Sequence, residues 1–276
     1  MGHPAHASFV SFHVRMSEIG FSGTGMRSLL PAIILAASLS VSSAWDVAET
    51  VQMGSLPKGG SVVQTQVSEG PLTARVTAIV FPARSYVLRV VESPSPGSTK
   101  LAGVLAAAGC AAGVNGGYFQ ADFRPVGLVI AAGREVHCFE KAKLLAGVLA
   151  VRGGSIEIVR AARFKNSGDV REAIQCGPML VENGRPTAGL NAERSARRTV
   201  VATDGHGQWA LLYITSVTLA DAARILTTPG VLRGCATALN LDGGSSSGLW
   251  AAATPGPVSL PEFGHVRNYL GIAPRP

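Results

Sequence analysis

The residues best equipped for chemistry lie in Asn240-Leu241-Asp242-Gly243-Gly244-Ser245-Ser246-Ser247. An apolar, alternating lead of Ala238, Leu239 and Leu241 suits a short buried strand. That strand empties into one carboxylate, two glycines and three serines. Asp242 supplies a charge or a proton site. Gly243 and Gly244 allow positive φ and close approach of a ligand to the backbone. Ser245 and Ser246 add hydroxyls and N–H groups. The same residue types cap helices and close Asx turns, so this stretch alone leaves a plain polar turn equally open.

A second strand end has a similar make-up. The run Ala111 to Phe119 is apolar and ends in Asn115-Gly116-Gly117 followed by Tyr118 and Phe119. Each strand end follows a helix-like segment and a Gly-Cys pair, and the cysteine stands five residues before the asparagine in both (Cys110 and Asn115, Cys235 and Asn240). If the echo is structural, the two asparagine-glycine ends meet in one cleft. Other chemistry-bearing residues are scattered. Glu193 reads as a solvated loop residue, His206 as a turn residue and Asp221 as the acidic first turn of a helix. His137 and His265 stand alone, so surface or packing roles suit them better than ligation.

These residues need strands to hold them. Leu72 to Phe81 alternates and reads as a strand, with Pro82 to Ser85 as the turn into a neighbouring strand over Tyr86 to Val91. Pro94 to Ser98 is a loop, and Ser98 or Thr99 caps a short helix reaching about Ala108. Val126 to Ile130 with Arg134 to Phe139 forms one hairpin. Gly147 to Val151 with Ile156 to Val159 forms another across Gly153-Gly154. Ala173 to Val181 is a strand interrupted at Gly177-Pro178, where proline cannot donate to a ladder and marks a bulge or an edge. Thr199 to Thr203 and Trp209 to Ile214 form a further hairpin. Thr218 caps a helix running to about Leu226.

The whole chain is 276 residues with a formal net charge of +7. The positive excess is scattered, without the basic stripe interleaved with aromatics that nucleic acid would require. Anionic small groups or an anionic envelope suit it equally. Met26-Arg27, the apolar run Leu29 to Val41 and Ser42-Ser43-Ala44 have the pattern of a secretory signal peptide cleaved after Ala44. The run is short of the roughly 20 residues of a membrane span. Met26 is read as the start, so His3, His6 and His13 receive no metal role. The expected organisation is an extension and signal over residues 1–44, an exposed lead-in over 45–70 and one domain over 71–276. The remainder is expected to be exported, periplasmic or secreted, and soluble once the signal is removed. Four cysteines in an exported chain favour two disulfides with three possible connectivities. The echoed spacing leans to Cys110–Cys235 and Cys138–Cys176, with four free thiols as the alternative.

Four pieces in order carry a family resemblance: VNGGYF (114–119), QCGPMLVENG (175–184), RRTVVATDGHGQW (197–209) and ALNLDGGSSSGL (238–249). Over about residues 72–272 the chain resembles the phosphodiester glycosidase family. The resemblance implies an α+β fold, with a large curved, mostly antiparallel sheet and a few flanking helices. The small number of helices agrees, since it excludes regular βαβ alternation. It also implies hydrolysis of a glycosidic bond whose leaving group is a phosphate ester. In that reading Asp242 faces the oxocarbenium-like carbon as nucleophile or electrostatic stabiliser. Arg198 with Thr199 grips the phosphate, and Arg197 is an exposed neighbour. Asn115 and Asn240 bind sugar hydroxyls or orient Asp242. Gly116, Gly117 and Tyr118 contact substrate, Tyr118 or Phe119 stacks on a sugar face, although Phe119 suits core packing better, and Gln175 with Gly177-Pro178 shapes the wall. Gly243, Gly244, Ser245 and Ser246 offer N–H groups to the anion. No cofactor is expected. Asp242 and neighbouring carbonyls have the chemistry for a hard cation such as Ca²⁺, but no dense acidic cluster accompanies them. The family's animal member carries further C-terminal parts that are not matched in this sequence, so its lysosomal role does not transfer. The expected substrate is a cell-envelope or exopolysaccharide phosphodiester. The alternative function is phosphoglycan binding without catalysis in polysaccharide assembly or export.

Overall fold

The computed structural model describes residues 44–93 and 100–276. The signal-peptide segment, the 94–98 loop and the Ser98 or Thr99 cap lie outside them. Among the described residues the chain forms eighteen strands and two α-helices. Strands dominate because β-branched and apolar residues alternate with polar ones between glycine-bearing turns.

The strands build three sheets. The first has the spatial order β1 (Asp46–Leu56), β2 (Gly60–Glu69), β3 (Leu72–Pro82), β14 (Gln208–Val217), β13 (Ala196–Thr203), β15 (Thr237–Asn240), β11 (Met179–Glu182) and β12 (Arg185–Pro186). The second runs β7 (Arg134–His137), β6 (Val129–Ala131), β10 (Val170–Cys176), β8 (Gly147–Arg152) and β9 (Ser155–Arg160). The third runs β17 (Val258–Leu260), β16 (Leu249–Ala251), β5 (Ala112–Asn115), β18 (Asn268–Pro274) and β4 (Tyr86–Glu92). Pairing in all three is antiparallel.

The architecture is therefore mainly β, and three sheets replace the single large curved sheet that was expected. Two segments show how the chain divides. β3 and β4 are not neighbours: β3 pairs with β2 and β14, whereas β4 pairs with β18 after a 3-10 turn at Ala83–Ser85. Gly177-Pro178 likewise marks a change of sheet, β10 ending in the second and β11 starting in the first. The 45–70 segment is not a loose lead-in. It is a hairpin of two long strands whose polar residues made it look unstructured. β1 is mostly exposed because it lies at the sheet edge, while β2 buries alternate residues.

One core is shared by all three sheets. Phe81, Leu211 and Leu239 meet Leu88, Val114 and Leu270 from the third sheet and Val129, Leu149 and Ile174 from the second. Each such side chain contributes roughly 1.5–3 kcal/mol by burial. On the opposite face of the first sheet, α2 (Leu219–Thr227) buries Ala222, Ala223, Ile225 and Leu226. Its cap is the one expected: the Asp221 N–H donates to Thr218 Oγ1 at 3.0 Å, and Thr218 Oγ1 donates to Asp221 Oδ2 at 2.7 Å. The shorter helix α1 (Leu101–Ala107) is capped from afar, its Leu101 N–H donating to Glu262 Oε1 at 2.8 Å.

The disulfide expectation is corrected: all four cysteines are free. Cys110 packs beneath α1, Cys176 in the shared core and Cys235 on the α2 side, while Cys138 is exposed. The thiols are thus distributed among separate packing environments. Burial pushes the Cys176 and Cys235 thiols up to about 12, so both stay neutral.

Candidate functional site

The two asparagine-glycine strand ends belong to different sheets, and they do meet. Asn115 at the end of β5 is completely buried. Its Nδ2 donates to the Asp242 carbonyl at 2.7 Å. Its Oδ1 accepts from Thr199 Oγ1 at 2.6 Å and from the Gly248 N–H at 3.1 Å. The Asp242 N–H donates to the Gly116 carbonyl at 3.0 Å. One carboxamide thus ties β5 to β13 and to both ends of the Asp242 loop. Beside it, Asn268 of β18 holds the glycines: its carbonyl accepts from the Gly116 N–H at 2.8 Å and its Oδ1 from the Gly117 N–H at 2.8 Å. A Cβ on Gly116 would stand 2.0 Å from Asn268 Oδ1, which is why this position demands glycine.

The loop carries the Asp242 carboxylate to a half-buried position. Burial pushes its carboxyl up from 3.8 to about 6, against the opposing hydrogen bonds of Ser246 and the Gly243 N–H, the latter at 2.9 Å. Tyr118 stands close enough to feel it. The Tyr118 hydroxyl donates to the Gly177 carbonyl at 2.6 Å and accepts from Asn240 Nδ2 at 3.1 Å. Burial, followed by Cys176 and Asp242, raises the phenol, while the bond from Asn240 and the Arg198 charge act the other way. Tyr118 therefore lies within reach of the fields of both Asp242 and Arg198.

Strand alternation separates the side chains of this region. Val201, Leu239 and Leu241 enter the shared core, whereas Val200, Ala202 and Ala238 face α2. Val200 pairs with Asn240, and the Leu241 N–H donates to the Thr199 carbonyl at 2.8 Å. Continued, that register sets the Arg198 and Asp242 positions opposite each other. Arg198 is buried, with Nε donating to the Val217 carbonyl at 3.0 Å and Nη2 to the Arg194 carbonyl at 2.6 Å. Among the described residues no carboxylate pairs with it. Burial and the nearby Arg194 charge lower its pKa. Two adjacent cations without a counter-charge favour an anion. Arg197 is half-buried rather than exposed. Its Nε holds the Gly244 carbonyl at 2.9 Å and its guanidinium covers the Phe263 ring at 4.2 Å.

Several expected site residues are occupied elsewhere. Thr199 is completely buried and its hydroxyl is spent on Asn115, so it cannot help Arg198 grip a phosphate. Gln175 is also completely buried and pins a distant loop through Leu128, Glu140 and Leu145. Asn240 spends its amino group on Tyr118, Gly177 and Leu241. Gly177 presents its carbonyl to Tyr118 and Asn240 rather than to a cleft. Gly243 and Gly244 are half-buried, Ser245 is exposed and Ser246 is buried against Asp242. Phe119 is half-buried against Phe123 and takes no part in the described core clusters. Glu193 is exposed, as is His206 in its turn. Asn268, Glu262 and Phe263 were not anticipated. A lone asparagine before an apolar strand carries no signal of its partner far upstream. Among the described residues no group of three or more His, Cys, Asp or Glu converges. Three cavities lie elsewhere, lined by neither Asp242 nor Arg198.

Comparison with known proteins bears on residues in this region. The family described as phosphodiester glycosidase matches residues 108–273. An Escherichia coli (strain K12) protein, YigE, described as uncharacterized, is 33% identical over 108 residues, covering 36% of this chain and 42% of YigE. The match thus spans about two fifths of that relative. Among solved structures, the catalytic domain of zebrafish N-acetylglucosamine-1-phosphodiester alpha-N-acetylglucosaminidase aligns with a TM-score of 0.56 at 16% identity, over 86% of this chain and 85% of that one. A hypothetical protein from Synechocystis aligns with a TM-score of 0.56 at 16% identity, over 79% of this chain and 62% of that one. At such identities the structural matches speak for the fold alone.

Proposed function

The chain belongs to the phosphodiester glycosidase family, and on that premise we propose that it is an exported hydrolase that releases a sugar from a sugar-1-phosphodiester of a cell-envelope or exopolysaccharide glycan. The observation that carries this reading is the half-buried Asp242 carboxylate, fixed through its backbone by Asn115 and Gly116 and titrating at about 6. A carboxylate so placed is ionised at neutral pH and poorly solvated, which suits it to stabilise positive charge at an anomeric carbon.

The reaction cleaves the bond between the anomeric carbon and the phosphate oxygen. The electron pair leaves with the phosphate monoester and water supplies the new hydroxyl. A phosphate departs as a stable anion, so a strong general acid is dispensable, and the site's one raised carboxylate suffices. Arg198, with Arg194 beside it, favours the phosphate electrostatically. Tyr118, locked by Gly177 and Asn240, lies in the field of both charges.

The test is release of sugar from a panel of sugar-1-phosphodiesters, with ¹H NMR of the anomer first formed. Turnover by wild type and its loss in Asp242→Asn is the expected result. Retention at the anomeric carbon would make Asp242 a nucleophile, and inversion a stabiliser of charge. Binding without turnover across the panel would instead support a phosphoglycan-binding protein. Export is tested by fractionation of cells expressing the full chain, with recovery in the cytoplasm as the contrary result.

A further inference from the structure

A cavity of about 700 Å³ lies between the 139–146 loop and the end of β9 with the segment after it, at the margin of the second sheet. Its apolar surface includes Leu145, Ala161 and the rings of Phe139 and Phe164, whose centroids are 6.3 Å apart with planes 9° from parallel. Its polar lining is Glu140, Lys141, Lys143, Arg160 and Asn166. Arg160 is neutralised by Glu182, which it grips through both Nε and Nη2. Glu140 accepts from the Gly127 N–H at 3.1 Å and lies 3.6 Å from His137 Nδ1. Lys141 and Lys143 are exposed and make no ion pair among the described residues. Counted against the Glu140 carboxylate, the two ammonium groups leave the cavity with a net positive charge.

The loop that carries them is pinned. Gln175 Oε1 accepts from the Leu128 and Glu140 N–H groups at 3.0 and 3.1 Å, and Nε2 donates to the Glu140 and Leu145 carbonyls at 2.7 and 3.3 Å. The Leu144 carbonyl rests on Gly177 so closely that a Cβ there would stand 2.2 Å away. The carbonyl of the same Gly177 receives the Tyr118 hydroxyl. A pinned, positively charged groove therefore abuts the backbone that locks Tyr118.

We propose that this groove binds an acidic sugar unit of an extended glycan, away from the bond that is cleaved. A pyranose presents an apolar C–H face that suits the phenyl surface, and a carboxylate or phosphate on it suits Lys141 and Lys143. The volume is that of a small-molecule site. The choice of a glycan as occupant rests on the glycosidase reading, whereas the measurement does not depend on turnover.

The probe is a fluorescently labelled polyuronate oligosaccharide titrated with the full chain, against a neutral dextran oligomer of equal length and a single-stranded oligonucleotide. The polyuronate is expected to bind and dextran to bind much less. Lys141→Gln with Lys143→Gln lowers polyuronate affinity roughly tenfold and removes most of its salt dependence. The same double variant hydrolyses a small sugar-1-phosphodiester as wild type does. Equal affinity for dextran, tighter binding of the oligonucleotide, or unchanged affinity in the double variant overturns the proposal. A wild type that binds polyuronate through these lysines yet hydrolyses no diester refutes the reaction and upholds the groove.

Discussion

The strand ends at Asn115 and Asn240 share residue types but not tasks. At Asn115 every polar atom of the side chain is bonded, the glycines are wedged against Asn268, and nothing is left for a ligand. At Asn240 the chain runs two residues further and delivers an ionisable group to a half-buried position. Asn240 Oδ1 is buried without a partner. The first end is scaffold and the second presents chemistry. Residue type tells them apart only through Asp242, which has no counterpart after Asn115.

Breaking the presenting end should cost the most activity. Asp242→Asn is expected to lower kcat/KM by on the order of 10³-fold while leaving the fold intact, read by sugar release alongside thermal melting. Activity near the wild-type level would remove Asp242 from the mechanism. Breaking the scaffold should instead cost stability. Gly116→Ala forces Asn268 aside and is expected to destabilise the chain by about 2–3 kcal/mol in denaturant titration.

Acidity sharpens the contrast, because only one end titrates. If Asp242 acts as a carboxylate, kcat/KM should fall about tenfold per pH unit below about 6 and level off above it. A general acid would give the opposite limb, activity falling as pH rises past about 6. Stability runs separately. The folded value lies above the unfolded 3.8, so this group's contribution is greatest below about pH 4, declines up to about 6 and is constant beyond.

Smaller effects are expected where the two ends are merely braced. Tyr118→Phe removes the bond to Gly177 and leaves Asn240 short of one acceptor, for a loss of about 1 kcal/mol in stability. Phe263→Ala strips the ring from Arg197 and should change kcat/KM only a few-fold, on the order of 0.5–1 kcal/mol. A loss as large as that of Asp242→Asn would place Phe263 among the residues that touch substrate.

Local pattern revealed much of this molecule. The β8–β9 and β13–β14 hairpins, the Thr218 cap and the meeting of the two asparagine ends all follow from alternation, turn glycines and spacing. What pattern could not supply was the destination of each strand. Nothing near Pro82 or Pro178 says that the next strand joins another sheet, because that depends on partners distant in sequence. The same limit hid Asn268 and Glu262, and it made Gln175 look like a wall residue and Thr199 like a phosphate ligand. A polar side chain at a strand end reads alike whether it faces a ligand or a buried carbonyl. β1 and β2 were lost for a different reason: β1 is an edge strand that carries polar residues, and the alternation of β2 is diluted by polar side chains.

β18 lies inside its sheet, between β5 and β4, although among the described residues it is the last strand in chain order. Its first residue, Asn268, bonds to Gly117 across a separation of 151 residues. During synthesis β5 must therefore wait with one edge open until β18 has left the ribosome. Closure of such a distant contact is slow, and the open edge is exposed to mispairing meanwhile. The Asp242 loop is anchored through the neighbouring Gly116, which Asn268 also holds, so its geometry is complete only once β18 has docked. Stopping translation before Asn268 should yield a chain in which the Asp242 loop lacks that anchor.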